Sequence, residues 1–167
     1  MFEDVTLRQT VEFAITTEEL GAKYYERFAK KFEDDEEIQQ IFTQLAQDEV
    51  GHEKQFRKLL DKLPPEPTEH DEKYQVLKAW SLSEFFSRRR GLGRNLDDIK
   101  TRDDALQRAF DFEKDAFSFY QALRDVIGDE PVLQEIIDAE RQHMLAVMKV
   151  LVSGSKFRGL ADKGVKV

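Results

Sequence analysis

The chain contains no cysteine. That absence removes disulfides, thiolate zinc sites and iron–sulfur ligation within the chain, so a metal held here must be held by carboxylate oxygen and imidazole nitrogen. Glycine and proline are scarce, 8 and 4 among 167 residues. Valine and threonine never cluster into the alternating apolar and polar runs of a half-buried strand, so an all-helical chain is expected. No stretch approaches the ~18 uninterrupted apolar residues of a membrane span, and Glu3 and Asp4 stand where a secretory leader would be basic. A soluble cytoplasmic protein that does not engage membranes is the expectation. Positive charge is short as well. The net charge is -8, and the only basic run, Arg88, Arg89 and Arg90, reads as a solvated helix end. Nucleic-acid binding is excluded on that balance, because it needs a basic face that displaces counterions from phosphates.

What is present suffices for one core, since 40% of the residues are hydrophobic in a chain of ordinary domain length. Thr6 and Gln9 form a capping-box pattern, and Val11, Ile15, Ala22, Ala29 and Phe32 then recur at helical spacing. Glu33, Asp34 and Asp35 break this first helix and can cap a second, whose stripe is Ile38, Phe42, Leu45, Phe56, Leu59 and Leu63, ending at Pro64. Residues from about 64 to 100 read as a crossover: an irregular stretch with three prolines, then a shorter helix or two between Tyr74 and Arg90. Ser81 and Glu84 suggest a cap there and Gly91 a stop, with Trp80, Phe85 and Phe86 covering one bundle end; His70 reads as solvated. Thr101 with Asp104 opens a third long helix carrying Leu106, Ala109, Ala116 and Leu123, and Gly128 ends it. Pro131 suits the first turn of a fourth helix running to about Val152. Two short turns and one long crossover give an all-α, ferritin-like four-helix bundle over residues 1–153, with a C-terminal tail over 154–167.

The residues that violate the apolar stripes carry the chemistry. Glu18 sits between Ile15 and Ala22, and Glu113 between Ala109 and Ala116, where core side chains belong. Glu49 with His52, and Glu140 with His143, are two Glu-x-x-His pairs. Three residues turn a helix by about 300° and raise it by about 4.5 Å, so both side chains of a pair share one face and can chelate one ion. In an antiparallel hairpin two residues lie level when the turn is midway between them. The midpoint of Glu18 and Glu49 is 33.5, inside the acidic turn, and that of Glu113 and Glu140 is 126.5, beside Gly128. All four carboxylates can therefore meet at one height. The halves also repeat: Ala14, Glu18 and Tyr25 recur as Ala109, Glu113 and Tyr120, and each glutamate lies twelve residues beyond its cap, Thr6 or Thr101. An internal two-fold axis follows. Four carboxylates in a helical core repel one another unless compensated, and two divalent cations cancel them with two neutral imidazoles left over. Oxygen and nitrogen donors suit iron or manganese, with zinc a substitute.

One glutamate on each of two helices and Glu-x-x-His on each of the others is the di-iron bundle pattern. On Glu18, Glu49, His52, Glu113, Glu140 and His143 the chain resembles the ferritin-like superfamily, and within it the rubrerythrin-like proteins, over nearly its whole length. The resemblance implies two irons, with Tyr25 and Tyr120 hydrogen-bonded to ligand carboxylates. Asp48, just before Glu49, can orient an imidazole; Ala139 holds the matching place before Glu140. Typical rubrerythrins also carry a cysteine-ligated iron domain that feeds electrons to the centre, and this chain matches the bundle alone. The implied activity is reduction of peroxide or oxygen with electrons from an external donor protein, in a homodimer. Ferroxidase and iron storage as in ferritin or bacterioferritin, a di-iron hydroxylase, and a metal-free interaction bundle are the alternatives.

Overall fold

The computed structural model describes residues 7–63, 98–127 and 129–161. Four long helices make up nearly all of it: α1 (Leu7–Lys31), α2 (Glu36–Lys62), α3 (Arg102–Ile127) and α4 (Pro131–Ala161), with no strand among the described residues. Among these residues no helix is long and apolar enough to cross a membrane. The cap at Thr6, the crossover expectations for residues 64–97 and the stop at Gly128 fall outside the described residues.

The local signals explain the boundaries. Asp35 takes an extended conformation, and its side chain accepts a hydrogen bond from the Ile38 amide at 3.2 Å, which satisfies one orphan donor of α2. Glu36 and Glu37 then lie at the positive end of the helix dipole, as Lys30 and Lys31 lie at the negative end of α1. At the start of α3 the hydroxyl of Thr101 accepts from the Asp104 amide at 3.1 Å, while the Asp104 carboxylate accepts from the Thr101 amide at 3.3 Å. This is a reciprocal box. Pro131 opens α4, where its missing N–H costs nothing.

One boundary differs from the sequence expectation. α4 continues to Ala161, past Val152 and through Gly154. Each glycine in a helix weakens it by only about 1 kcal/mol, so neither Gly154 nor Gly159, near the C-terminal end, stops α4, and the turn before Gly154 is well formed, with the Ser153 hydroxyl donating to the Val150 carbonyl at 2.9 Å.

Each hairpin packs mainly within itself, α1 on α2 and α3 on α4, and the two meet along α1 with α3 and α2 with α4. The core divides into two apolar clusters. One lies toward the turn between α1 and α2 and is built on Tyr24, Tyr25, Phe28, Phe42, Leu106 and Phe112; the other, toward the second turn, is built on Val11, Ile15, Phe56, Tyr120, Leu133 and Ile136. On every helix the polar residues singled out from sequence fall between the two. Burial of each large apolar side chain contributes roughly 1.5–3 kcal/mol, so a polar layer is carried between two strongly stabilised ones. Arg102 fastens the hairpins at one end, with its guanidinium 3.2 Å from Asp35 and 2.6 Å from Glu37.

Candidate metal centre

Glu18, Glu49, Glu113 and Glu140 are at most 2% exposed, and His52 and His143 are 7% exposed. Charged groups are almost never so buried unless they are paired or bind a cation. Each reaches its place by the same device, a polar residue substituted into the inward stripe of an amphipathic helix.

The six side chains converge as two overlapping groups, Glu18, Glu49, His52 and Glu140 in one and Glu49, Glu113, Glu140 and His143 in the other, and the ligand atoms within each group lie within 4.8 Å of one another. Glu49 and Glu140 belong to both. His52 presents Nδ1 to Glu140 at 3.2 Å, Glu18 at 3.4 Å and Glu49 at 4.0 Å. His143 presents Nδ1 to Glu113 at 3.2 Å, Glu140 at 3.8 Å and Glu49 at 3.9 Å. The two imidazole rings face each other with centroids 5.4 Å apart. Ligand bonds of about 2.0–2.2 Å place neighbouring donor atoms on one ion at about 3 Å, close to these separations.

Several of the polar atoms in the cluster have no hydrogen-bond partner. Glu18 Oε2, Glu49 Oε1, His52 Nδ1 and both Glu140 oxygens are buried without a hydrogen bond. Such atoms cost roughly 1–3 kcal/mol each, more when charged, so their concentration at one place fits a cation-binding site. The donor set is four carboxylates and two imidazoles without sulfur, which fits iron or manganese.

Tyrosines finish the arrangement. The Tyr25 hydroxyl donates to Glu113 Oε1, and the Tyr120 hydroxyl donates to Glu18 Oε1, so each hairpin orients the lone glutamate of the other. Burial, followed by the neighbouring glutamate charges, raises both phenols well above their ordinary range and keeps them protonated donors. Asp48 lies beside only one imidazole, with Oδ2 3.4 Å from His143 Nε2.

Without metal the cluster holds protons instead. Burial, then the charges of Glu18 and Glu140, raises Glu49; burial, then the charge of Glu140, raises Glu113 to about 8. Burial opposes ionisation of Glu140 too, but the nearby imidazoles of His143 and His52 outweigh it and lower that carboxyl to about 2. Burial likewise opposes charging the imidazoles, yet the carboxylates around them win and raise His52 to about 10 and His143 to about 11. Cations entering the cluster must displace these protons.

The structure thus brings together all six residues, and both tyrosines, that the sequence singles out. It also shows a residue that the sequence reading passed over. Gly21 lies one turn beyond Glu18, and a Cβ there would stand 3.3 Å from Glu49 Cδ and 3.1 Å from the Phe112 ring. Its signal was a glycine inside a helical pattern, which often marks a close approach. Thr17 is buried as well, but its hydroxyl donates to the Phe13 carbonyl at 3.2 Å and so is satisfied within α1.

A family model described as rubrerythrin matches residues 9–93, half of the chain. The matched span holds Glu18, Glu49 and His52; Glu113, Glu140 and His143 lie beyond it and join the site through the geometry above. No curated protein and no solved structure matches the chain.

Proposed function

Because the chain belongs to the rubrerythrin family, we propose that it is a non-haem di-iron oxidoreductase that reduces peroxide, or oxygen, with electrons from a separate donor protein in the cytoplasm. The observation that carries this reading is the pair of buried four-residue groups sharing Glu49 and Glu140. Two ferrous ions so held supply the two electrons that reduction of an O–O bond requires.

The chain's own residues hold, orient and insulate. Glu49 and Glu140 face both ion positions, while Glu18 with His52 and Glu113 with His143 complete one position each. Tyr25 and Tyr120 fix the lone glutamates and keep an O–H within reach of a carboxylate oxygen, from which a proton can be passed to a reduced product. Tyr25 stacks on Phe42 and Tyr120 packs against Phe56, and these fully buried rings keep bulk water from the carboxylates on both sides. Zero cysteines leave this chain no thiolate iron centre, so the electrons come from a partner such as a rubredoxin-like or flavin protein. A homodimer is the assembly this reading expects.

The test is metal content and the optical spectrum of protein from iron-replete cells, followed by addition of peroxide to the reduced form. About two irons per chain and rapid reoxidation by peroxide are expected. Slow reoxidation by peroxide, with oxygen-driven iron accumulation in a particle of cage mass, would assign the centre to iron storage instead. Absence of bound iron would refute the di-iron reading.

A further inference from the structure

The two ion positions draw on the same kinds of ligand, but their outer supports differ. Asp48 immediately precedes Glu49 on α2, and its Oδ2 lies 3.4 Å from His143 Nε2, the nitrogen that points away from the carboxylate cluster. Gln44, one turn earlier, donates its amide to the other oxygen of Asp48 at 2.9 Å and so fixes that carboxylate. The repeat-equivalent residues on α4 are Ala139, immediately before Glu140, and Glu135 one turn earlier. Ala139 has no oxygen to offer His52. On the inner side each imidazole turns Nδ1 toward the lone glutamate of its group, His52 at 3.4 Å from Glu18 and His143 at 3.2 Å from Glu113.

Resting on the metal-centre reading above, we propose that Asp48 is a positioning residue for His143, and that Ala139, in the matching place, leaves the two ion positions unequal, so that the position of His143 and Glu113 fills first. A metal-bound imidazole whose far N–H donates to a carboxylate is held in one tautomer and one ring orientation, and it is a stronger electron donor. Loss of such a partner typically weakens metal affinity by about 10- to 100-fold. Two positions that draw on the same kinds of ligand are then separated by about that factor.

The metal-free full-length chain is titrated with Co(II), followed by visible absorption and calorimetry. The wild type should bind in two steps at least about tenfold apart. Asp48→Ala, a change at a partly exposed helical position, should weaken the tighter step alone and bring the two together. Asp48→Asn, whose amide oxygen can still accept from Nε2–H, should restore part of the separation. Ala139→Asp should tighten the weaker step. In the Co(II)-loaded wild type, one hyperfine-shifted imidazole N–H should exchange slowly with solvent, and Asp48→Ala should abolish that slow exchange; a purely structural role for Asp48 would not change it. Two equal steps in the wild type, or a tighter step untouched by Asp48→Ala, would overturn the proposal and leave the metal centre standing. Absence of Co(II) binding would overturn both.

Discussion

Glu18 and Glu113 occupy equivalent places in the two hairpins, each held by the tyrosine of the other, yet the side chains packed around them are not equivalent. Thr17 precedes Glu18 where Phe112 precedes Glu113; Gly21 follows where Ala116 follows; Tyr24 stands beside Tyr25 where Phe119 stands beside Tyr120. The differences are compensatory. The Phe112 ring fills the volume that Gly21 leaves, since a Cβ on Gly21 would come within 3.1 Å of it. Packing requires only that opposed positions sum to the available volume, so large and small side chains can trade places across the two-fold. Ligands have no such freedom, because each donor atom must reach a fixed point. On the proposed reading, coordination keeps the glutamates and histidines of the repeat in register while the residues between them differ.

The comparison is sharpest for the shared carboxylates. If the hairpins are equivalent as ligand sources, Glu49→Ala and Glu140→Ala should act alike, each lowering the metal load to well below one ion per chain, because each belongs to both groups. Glu18→Ala and Glu113→Ala should each retain about one ion, since each serves one group. Elemental analysis of the four purified variants decides it. Loss of both ions in Glu140→Ala with retention in Glu49→Ala would break the two-fold reading.

A second difference between the halves exists only in the metal-free protein and is governed by protons. Glu49 and Glu140 are repeat equivalents, but one carboxyl is raised by burial and neighbouring charge while the other is lowered to about 2 by the two imidazoles. Glu113, raised from 4.5 to about 8, contributes stability that is full below pH 4.5 and is lost as the pH climbs through 8. The histidines, raised from 6.5 to about 10 and 11, contribute stability that is full below pH 6.5 and is lost through that higher range. Glu140 has the opposite sign, and its contribution fades as the pH falls from 4.5 toward 2. The thermal midpoint of metal-free protein should therefore drop between about pH 7 and about pH 10. Adding Mn(II) should reverse that trend and release protons into weakly buffered solution, because deprotonated ligands bind the ion. A metal-free midpoint that climbs over this interval would contradict the buried protonated cluster.

Much of the molecule was legible in the sequence for a definite reason. A glutamate in place of a core residue, as at Glu18 between Ile15 and Ala22, is conspicuous, and hairpin midpoints depend only on residue numbers and turn positions. The Thr101 and Asp104 box and the Asp35 cap are local, so sequence carries them whole. What sequence did not carry depends on neighbours distant along the chain. Asp48 approaches His143 and not His52 because α2 packs beside α4, and no pattern within α2 states that order. Gly21 matters because a ring of α3 and a carboxylate of α2 both converge on it. The continuation of α4 through Gly154 and Gly159 reflects how little each glycine costs a helix of 31 residues.

The smallest expected effect tests the packing side of the comparison. Gly21→Ala adds a methyl group that meets Phe112 at 3.1 and 3.2 Å and Glu49 Cδ at 3.3 Å, so those groups must yield by a few tenths of an ångström. Phe112 cannot retreat freely, because the rings of Tyr25 and Tyr24 stand 5.8 and 6.2 Å away. Helix propensity favours alanine by about 1 kcal/mol, which offsets crowding of similar size, so the stability of the metal-free protein should move by less than about 1 kcal/mol. The displaced Glu49 carboxylate, in contrast, belongs to both four-residue groups, so both expected binding steps should weaken, toward the lower end of the roughly 10- to 100-fold range for residues that support a ligand. Ala116→Gly at the equivalent place should do the reverse, costing about 1 kcal/mol of helix stability while leaving affinity intact. Denaturant unfolding alongside Mn(II) calorimetry separates the two quantities. Unchanged affinity in Gly21→Ala would mean that Glu49 has room to spare and that glycine serves only the Phe112 ring.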